Sequence, residues 1–267
     1  MAKPRKRVVS VLGGALDITV NVAGKGKPLV FLHSAGGFYW DAFLDGLSEH
    51  YKVYAPHFPG TAPGRPNDID KLDSLWDTVI AYEDLLDALN IKKCRLMGHS
   101  FGGLLAAELA AQRPKAIEKL VLIAPIGLWH EDHPYSVWNW CAPGPDEIMD
   151  VLFHDKTHPA VVERMTPPAS RRAADQWTID FIWTLGCTGK VIWPIPDKGL
   201  KKRIHRISAP TLVAWGENDK LIPPAYAGEF GRAISGAEVF MLPKCGHEPP
   251  LEQREMLSER VTRFLAA

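Results

Sequence analysis

Between an apolar stretch, Cys94-Arg95-Leu96-Met97, and a helix-forming run over 104–111, the chain reads Gly98-His99-Ser100-Phe101-Gly102-Gly103. A serine held between a buried strand and a helix sits on a sharp turn, because the chain reverses direction there. Glycines suit the flanking positions, where a side chain would collide with neighbouring backbone. Such a turn lifts the Ser100 hydroxyl above the sheet edge and aims a helix N-terminus, with its partial positive charge, at the same point. The segment therefore demands a strand–turn–helix unit with a serine at its apex.

The rest of the chain supplies a sheet for that unit. Alternation in 8–22 reads as a hairpin of two edge strands, which explains the apolar start better than a signal peptide does. Pro28-Leu29-Val30-Phe31-Leu32 is a continuous apolar run, the mark of a strand buried on both faces. A helix pattern around Trp40, Phe43, Leu44 and Leu47 follows, then a short strand at Val53-Tyr54-Ala55 and helical spacing from Leu72 to Leu89. After the Ser100 unit come strands at 120–124, 211–215 and 239–242, and a closing helix through Leu257, Val261 and Phe264. Strands alternating with helices at this rhythm predict an α/β fold, a mostly parallel doubly wound sheet with helices on both faces.

The rhythm breaks between about Pro125 and Lys202, a stretch dense in tryptophan, proline and histidine. It reads as a mostly helical cap over 126–203, its clearest helix spanning 169–183, set into a core of 1–125 and 204–267. Open α/β sheets bind ligands at the strand C-terminal ends, where such an insertion would sit. Its tryptophans are read as the insertion's own core, with an aromatic lining for an acyl pocket as the alternative.

A serine hydroxyl attacks poorly unless a base removes its proton, and the usual base is a histidine oriented by a carboxylate. Asp219 lies in Gly216-Glu217-Asn218-Asp219-Lys220, directly after one strand, and His247 in Gly246-His247-Glu248-Pro249, directly after the next. Both fall on the rim that carries Ser100, and the order serine, aspartate, histidine matches this strand–turn–helix architecture. Glu217 competes for the acid role. The developing oxyanion needs two N–H donors: Phe101 at the helix start, and Ala35 in His33-Ser34-Ala35-Gly36-Gly37, with Ser34 as the neighbouring alternative. His99 reads as a packed strut rather than a second base. No cofactor or metal is expected; His130 and His133 are the best of a weak set of metal ligands.

Bulk properties narrow the partners. The 267 residues carry 31 basic and 31 acidic side chains, so no net field favours nucleic acid or an anionic membrane. Basic clusters at 3–7 and 198–206 read as solvated charge at a sheet edge and a domain junction. Four cysteines show no metal spacing; Cys94 reads as a small core residue, and Cys141 and Cys187 both fall in the insertion, where pairing is left open because nothing else suggests secretion. No apolar run approaches membrane-spanning length. A cytoplasmic protein acting on a small-molecule substrate is the expectation.

Together these residues resemble the α/β-hydrolase superfamily across nearly the whole chain outside the insertion. The resemblance rests on His33-Ser34-Ala35-Gly36-Gly37, on 98–103, and on Gly216…Asp219…Pro223 with Gly246-His247-Glu248-Pro249…Glu252. It implies a cofactor-independent serine carboxylesterase acting on small to medium esters. Serine at the turn argues against the dehalogenase and epoxide hydrolase branches, which use aspartate. Ser34 stands where the family usually has glycine, and His57 where many members have aspartate. The carbon–carbon bond hydrolases of ring-fission products usually carry tryptophan after the histidine, where this chain has Glu248. That reaction, with lactone and perhydrolysis chemistry, is the alternative; a non-enzymatic ligand receptor is a third.

Overall fold

The computed structural model describes residues 4–136, 145–193 and 197–267. A hairpin opens the chain: β1 (Arg5–Val11) pairs antiparallel with β2 (Leu16–Ala23), placing Arg5 opposite Val22 and Val11 opposite Leu16. Strands and helices then alternate through β3 (Pro28–Leu32), α1 (Ala42–Ser48), β4 (Lys52–Pro56), α2 (Leu75–Ala88), β5 (Cys94–His99), α3 (Phe101–Gln112) and β6 (Ile117–Ile123). Between β6 and the next strand come α4 (Pro145–Leu152), α5 (Pro159–Met165) and α6 (Arg171–Ile192). The chain closes with β7 (Thr211–Gly216), α7 (Ala225–Ala233), β8 (Glu238–Leu242), α8 (Pro249–Glu252) and α9 (Arg254–Ala266).

The eight strands form one sheet in the order β1-β2-β4-β3-β5-β6-β7-β8. It is parallel from β4 through β8 and antiparallel only where β2 meets β1 and β4. The order reverses between β3 and β5, so the loops leaving these neighbours diverge and open a crevice at their C-terminal ends. Ser100 follows β5 there, and the loop 33–37 follows β3.

Apolar runs become strands because both faces of the sheet are covered. Along β3, Leu29 and Phe31 join a core shared with Phe43, Leu44 and Leu47 of α1 and Leu257, Val261 and Phe264 of α9. Val30 and Leu32 point the other way, into a core with Val79, Leu86, Leu104 and Leu105 of α2 and α3. Val121 and Ile123 of β6 alternate in the same manner with Leu120 and Leu122. Each such leucine or valine, fully buried, contributes roughly 1.5–3 kcal/mol. Ser74 starts α2 with a reciprocal cap: its hydroxyl accepts from the Asp77 N–H while the Asp77 carboxylate accepts from the Ser74 N–H.

The helix expected over 169–183 runs instead over Arg171–Ile192. Thr184, Gly186, Thr188 and Gly189 are weak helix formers, so local propensity places the end too early. Tertiary packing overrides it, because Thr184, Leu185, Cys187, Thr188, Val191 and Ile192 are buried. Cys187 is a free, buried thiol, while Cys141 lies outside the described residues. Among the described residues, no helix is long and apolar enough to cross a membrane.

One basic residue expected to be solvated is not. Arg203, in the 198–206 cluster, reaches the carboxylate of Glu108 on α3 with two hydrogen bonds of 2.8 and 2.6 Å, and Glu108 is fully buried. Its guanidinium also lies 4.8 Å from the centroid of the Trp76 ring. The pair fastens the stretch between α6 and β7 to α3, the helix behind Ser100. Removing the arginine leaves a buried carboxylate without its counter-charge, so Arg203→Ala lowers the urea-unfolding free energy by about 3–5 kcal/mol. The paired change Glu108→Leu with Arg203→Met costs less than the single change, because no stranded charge remains.

Candidate active site

The turn at Ser100 is built by close backbone approach. Ser100 has φ 54° and ψ −114°, a conformation costing about 1–3 kcal/mol that the surroundings must hold. Its N–H donates to the Ile123 carbonyl at 2.8 Å, and its carbonyl accepts from Gly103, Leu104 and Ile126. A Cβ on Gly98 would lie 2.1 Å from the Gly102 carbonyl oxygen, and one on Gly102 would lie 2.1 Å from that of Leu32. Strand, turn and helix are thus pressed together without room for side chains. The hydroxyl caps nothing on α3 and is left for another partner.

That partner is His247. Its Nε2 lies 2.8 Å from Ser100 Oγ, and its Nδ1 lies 2.7 Å from Asp219 Oδ2. Asp219 spends its other oxygen on the N–H groups of Leu221 and Ile222, at 3.0 and 2.9 Å. All three side chains are buried. The two late loops are stitched to each other: Asn218 N–H donates to the Cys245 carbonyl, and Glu217 N–H to that of Leu242. Gly216 is required at the crossing, since a Cβ there would sit 2.1 Å from the Gly246 carbonyl oxygen. Burial by itself would strip the proton from the His247 imidazolium. The Asp219 carboxylate, its hydrogen bond, and the nearby Glu248 and Glu252 charges outweigh that and leave His247 above the ordinary imidazole value.

Ala35 lines the cavity beside Ser100, and Phe101 opens α3, its ring packed edge-on to Phe58 at 5.1 Å. Neither backbone N–H donates to an acceptor among the described residues. Glu217 is not part of the chain of hydrogen bonds; Asp219 takes that place. His99 donates its Nε2–H to the His247 carbonyl at 2.8 Å, the strut expected of it. Burial depresses its pKa, and its Nδ1 stands 3.8 Å from a Glu248 oxygen.

His33 does more than its place in a loop motif suggests. The Phe58 N–H donates to its Nε2 at 2.9 Å, so its Nδ1 carries the proton and donates to the Ser34 carbonyl at 2.7 Å. This ties down the peptide just before Ala35. Burial pushes the His33 imidazole down to about 3, keeping it neutral. His57 is likewise held at about 4, chiefly by burial.

The site opens on a cavity of about 760 Å³, solvent-filled mouth included. Its walls are mostly apolar, with Val151 and Leu152 from α4, Phe181 and Leu185 from α6, and Leu221 and Leu251 from the core. Besides Ser34, Ser100 and His247, three polar groups interrupt them: Tyr39, Arg164 and Glu248. The Arg164 guanidinium stacks over the Tyr39 ring at 4.1 Å. Sequence reasoning missed Arg164 and Tyr39, since neither carries a spacing signal. The tryptophans are corrected in part: Trp129 packs against the core, but Trp183 and Trp193 are 46% and 47% exposed, and none of Trp129, Trp177, Trp183 and Trp193 lines the cavity. Trp138 and Trp140 lie outside the described residues. The rings of His130 and His133 come within 5.2 Å, but among the described residues no three potential ligands gather for a metal.

A family model described as alpha/beta hydrolase family matches residues 29–260. The chain belongs to that family. It is 26% identical to 2-hydroxy-6-oxo-2,4-heptadienoate hydrolase of Pseudomonas putida over 96% of this chain and 95% of that one. It is 25% identical to the pimeloyl-[acyl-carrier protein] methyl ester esterase of Nitrosomonas europaea, over 87% and 93% of the two chains. In structure it resembles a meta-cleavage product hydrolase from Pseudomonas fluorescens, with a TM-score of 0.77 at 19% identity and 97% of each chain covered. That likeness is one of fold.

The neutral His33 has a consequence for acid stability. Its folded pKa lies below the unfolded value, so acidification protonates the unfolded chain first and favours it. Relative to a His33→Gln variant, the wild type therefore loses stability as pH falls from about 7 to about 4.5. Urea midpoints of the two proteins across that range check this; a constant difference contradicts a neutral buried imidazole.

Proposed function

We propose that this protein is a serine hydrolase that cleaves a carboxylic ester carrying a small to medium, largely apolar acyl group. The reading is carried by one observation, the unbroken Ser100–His247–Asp219 hydrogen-bond chain opening on an apolar cavity. Ser100 Oγ attacks the ester carbonyl while His247 Nε2 takes its proton. Asp219 holds the Nδ1–H and stabilises the imidazolium that forms. The Ala35 and Phe101 N–H groups receive the oxyanion, each worth on the order of 10²–10³ in turnover. Collapse of the tetrahedral adduct expels the alcohol, which takes the proton from His247. Water then repeats the sequence against the acyl-enzyme and releases the acid. Residues 126–203 act as a cap over a core of 1–125 and 204–267, shaping the acyl end of the cavity.

Carbon–carbon bond hydrolysis by the same three residues is the second reading. Arg164 favours it, because a cation on an apolar wall, with no carboxylate within ion-pair distance among the described residues, suits the carboxylate of a dienoate. Several relatives are named as hydrolases of such acids. Glu248 weighs the other way: its charge is felt at His247, where a dienoate anion would be repelled.

Turnover of p-nitrophenyl butyrate that exceeds turnover of a ring-fission dienoate supports the ester reading; the reverse order overturns it in favour of the second. With either substrate Ser100→Ala abolishes turnover, and Asp219→Asn lowers kcat by about 10⁴. A Ser100→Ala protein with wild-type activity rules out both.

The pH profile tests the base separately. His247 must be neutral to accept the proton, so activity falls as pH drops through its pKa. Because that value is raised, the acid limb of kcat/KM inflects above the ordinary imidazole value of 6.5. An inflection below it contradicts the role given to His247.

A further inference from the structure

The carboxylate of Glu252 is buried at the end of α8 with no basic side chain in ion-pair distance among the described residues. It is satisfied by backbone alone. Oε2 accepts from the Gly246 N–H at 2.7 Å, one residue before His247. Oε1 accepts from the His154 and Asp155 N–H groups at 2.7 and 3.1 Å, in the segment joining α4 to α5. A third link runs beside these, from the His247 N–H to the Leu152 carbonyl at 2.7 Å. Leu152 and Phe153 line the cavity. The packing at the junction is tight, for a Cβ on Gly246 would lie 2.4 Å from the Leu152 carbonyl oxygen and 2.8 Å from the His154 nitrogen.

We infer that Glu252 is a positioning residue, clamping the backbone ahead of His247 to the α4–α5 wall of the acyl cavity so that base and wall move as one body. The inference rests on the reading of His247 as the base. The carboxylate suits the task because its two oxygens point in different directions and each needs only N–H donors. A buried charge-assisted bond to backbone also fixes the peptide more firmly than a neutral acceptor does. The clamp acts on the backbone just ahead of His247 and leaves both ring nitrogens to Ser100 and Asp219. An acyl group pressing on Leu152 and Phe153 therefore bears directly on the position of the base.

A glutamine at 252 keeps the shape but accepts through one arm only, setting an N–H against an N–H at the other. In Glu252→Gln, kcat for p-nitrophenyl butyrate falls about ten- to a hundredfold, while the folded fraction by circular dichroism is kept. The charged or titratable groups facing His247 are Asp219, Glu248, Glu252 and His99. Loss of one anion among them moves the acid limb of the Glu252→Gln profile to lower pH. Glu252→Asp, which restores charge without reach, returns the limb toward the wild-type position but leaves kcat low. A purely structural role would not separate the two readouts in this way. Hydrogen exchange on the wild type serves as the independent arm: the Gly246 and His154 amides share one acceptor group and show matched protection. Wild-type kcat in Glu252→Gln, an unmoved acid limb, or a His154 amide exchanging freely beside a protected Gly246 each overturns the inference. Loss of the Ser100 dependence instead overturns the functional reading and leaves the exchange result standing.

Discussion

The contact on which the rest depends is backbone against backbone, where β5 turns into α3. Gly98, Gly102 and Gly103 let the helix lie directly on its own strand and on the end of β3. Only at that distance can Ser100 take its left-handed conformation and have its carbonyl shared among three N–H donors. The same closeness brings the first turn of α3 under the loop that follows β3. The serine and both candidate oxyanion donors are therefore set by one packing event. The parallel sheet then delivers Asp219 and His247 to the same rim, because each lies just past a strand's C-terminal end.

Around that centre, polar side chains serve mainly to hold peptides. His33 grips the Ser34 carbonyl, His99 the His247 carbonyl, Asp219 the Leu221 and Ile222 amides, and Glu252 the amides on both sides of the α4 junction. A buried polar group without a partner costs about 1–3 kcal/mol, so each of these is stable only in company with its peptide. The arrangement turns that penalty into rigidity. Loops that would otherwise be the softest parts of an α/β fold carry Ser100, Asp219 and His247 on fixed frames.

Much of this was legible in the sequence because it rests on short-range chemistry. Apolar runs at 28–32 and 211–215 fall on β3 and β7, since strands buried on both faces leave little choice of residue. Ser100, Asp219 and His247 were legible because each sits in a turn whose glycines mark a close approach. What was hidden depends on tertiary partners. Nothing local in Thr184-Leu185-Gly186-Cys187-Thr188 announces a helix, and the burial that makes it one comes from the loop after β3 and from 60 onward. The exposed Trp183 misleads in the opposite sense, its indole spent on the Gly60 carbonyl at 2.9 Å rather than on a core or a ligand. Arg203 looked like surface charge because its partner Glu108 lies 95 residues away.

The helices between β6 and β7 show why family and substrate separate so cleanly in this chain. The sheet and its rim loops are over-determined: glycine clearances, strand register and hydrogen bonds all require the same geometry. The cavity wall is held by more scattered ties: Glu252 and Leu152 on the α4 side, Trp183 to the Gly60 carbonyl and Lys190 to the Ile69 carbonyl along α6, and Arg203 beyond it. Its residues need only be apolar and fill space, a condition many sequences meet. Charge is the exception. Arg164 and Glu248 each cost desolvation on an otherwise apolar wall, and packing alone does not reward placing them there. On the proposed hydrolase reading they are the positions where a substrate's charge would be felt, among apolar neighbours such as Val151, Leu185 and Leu251.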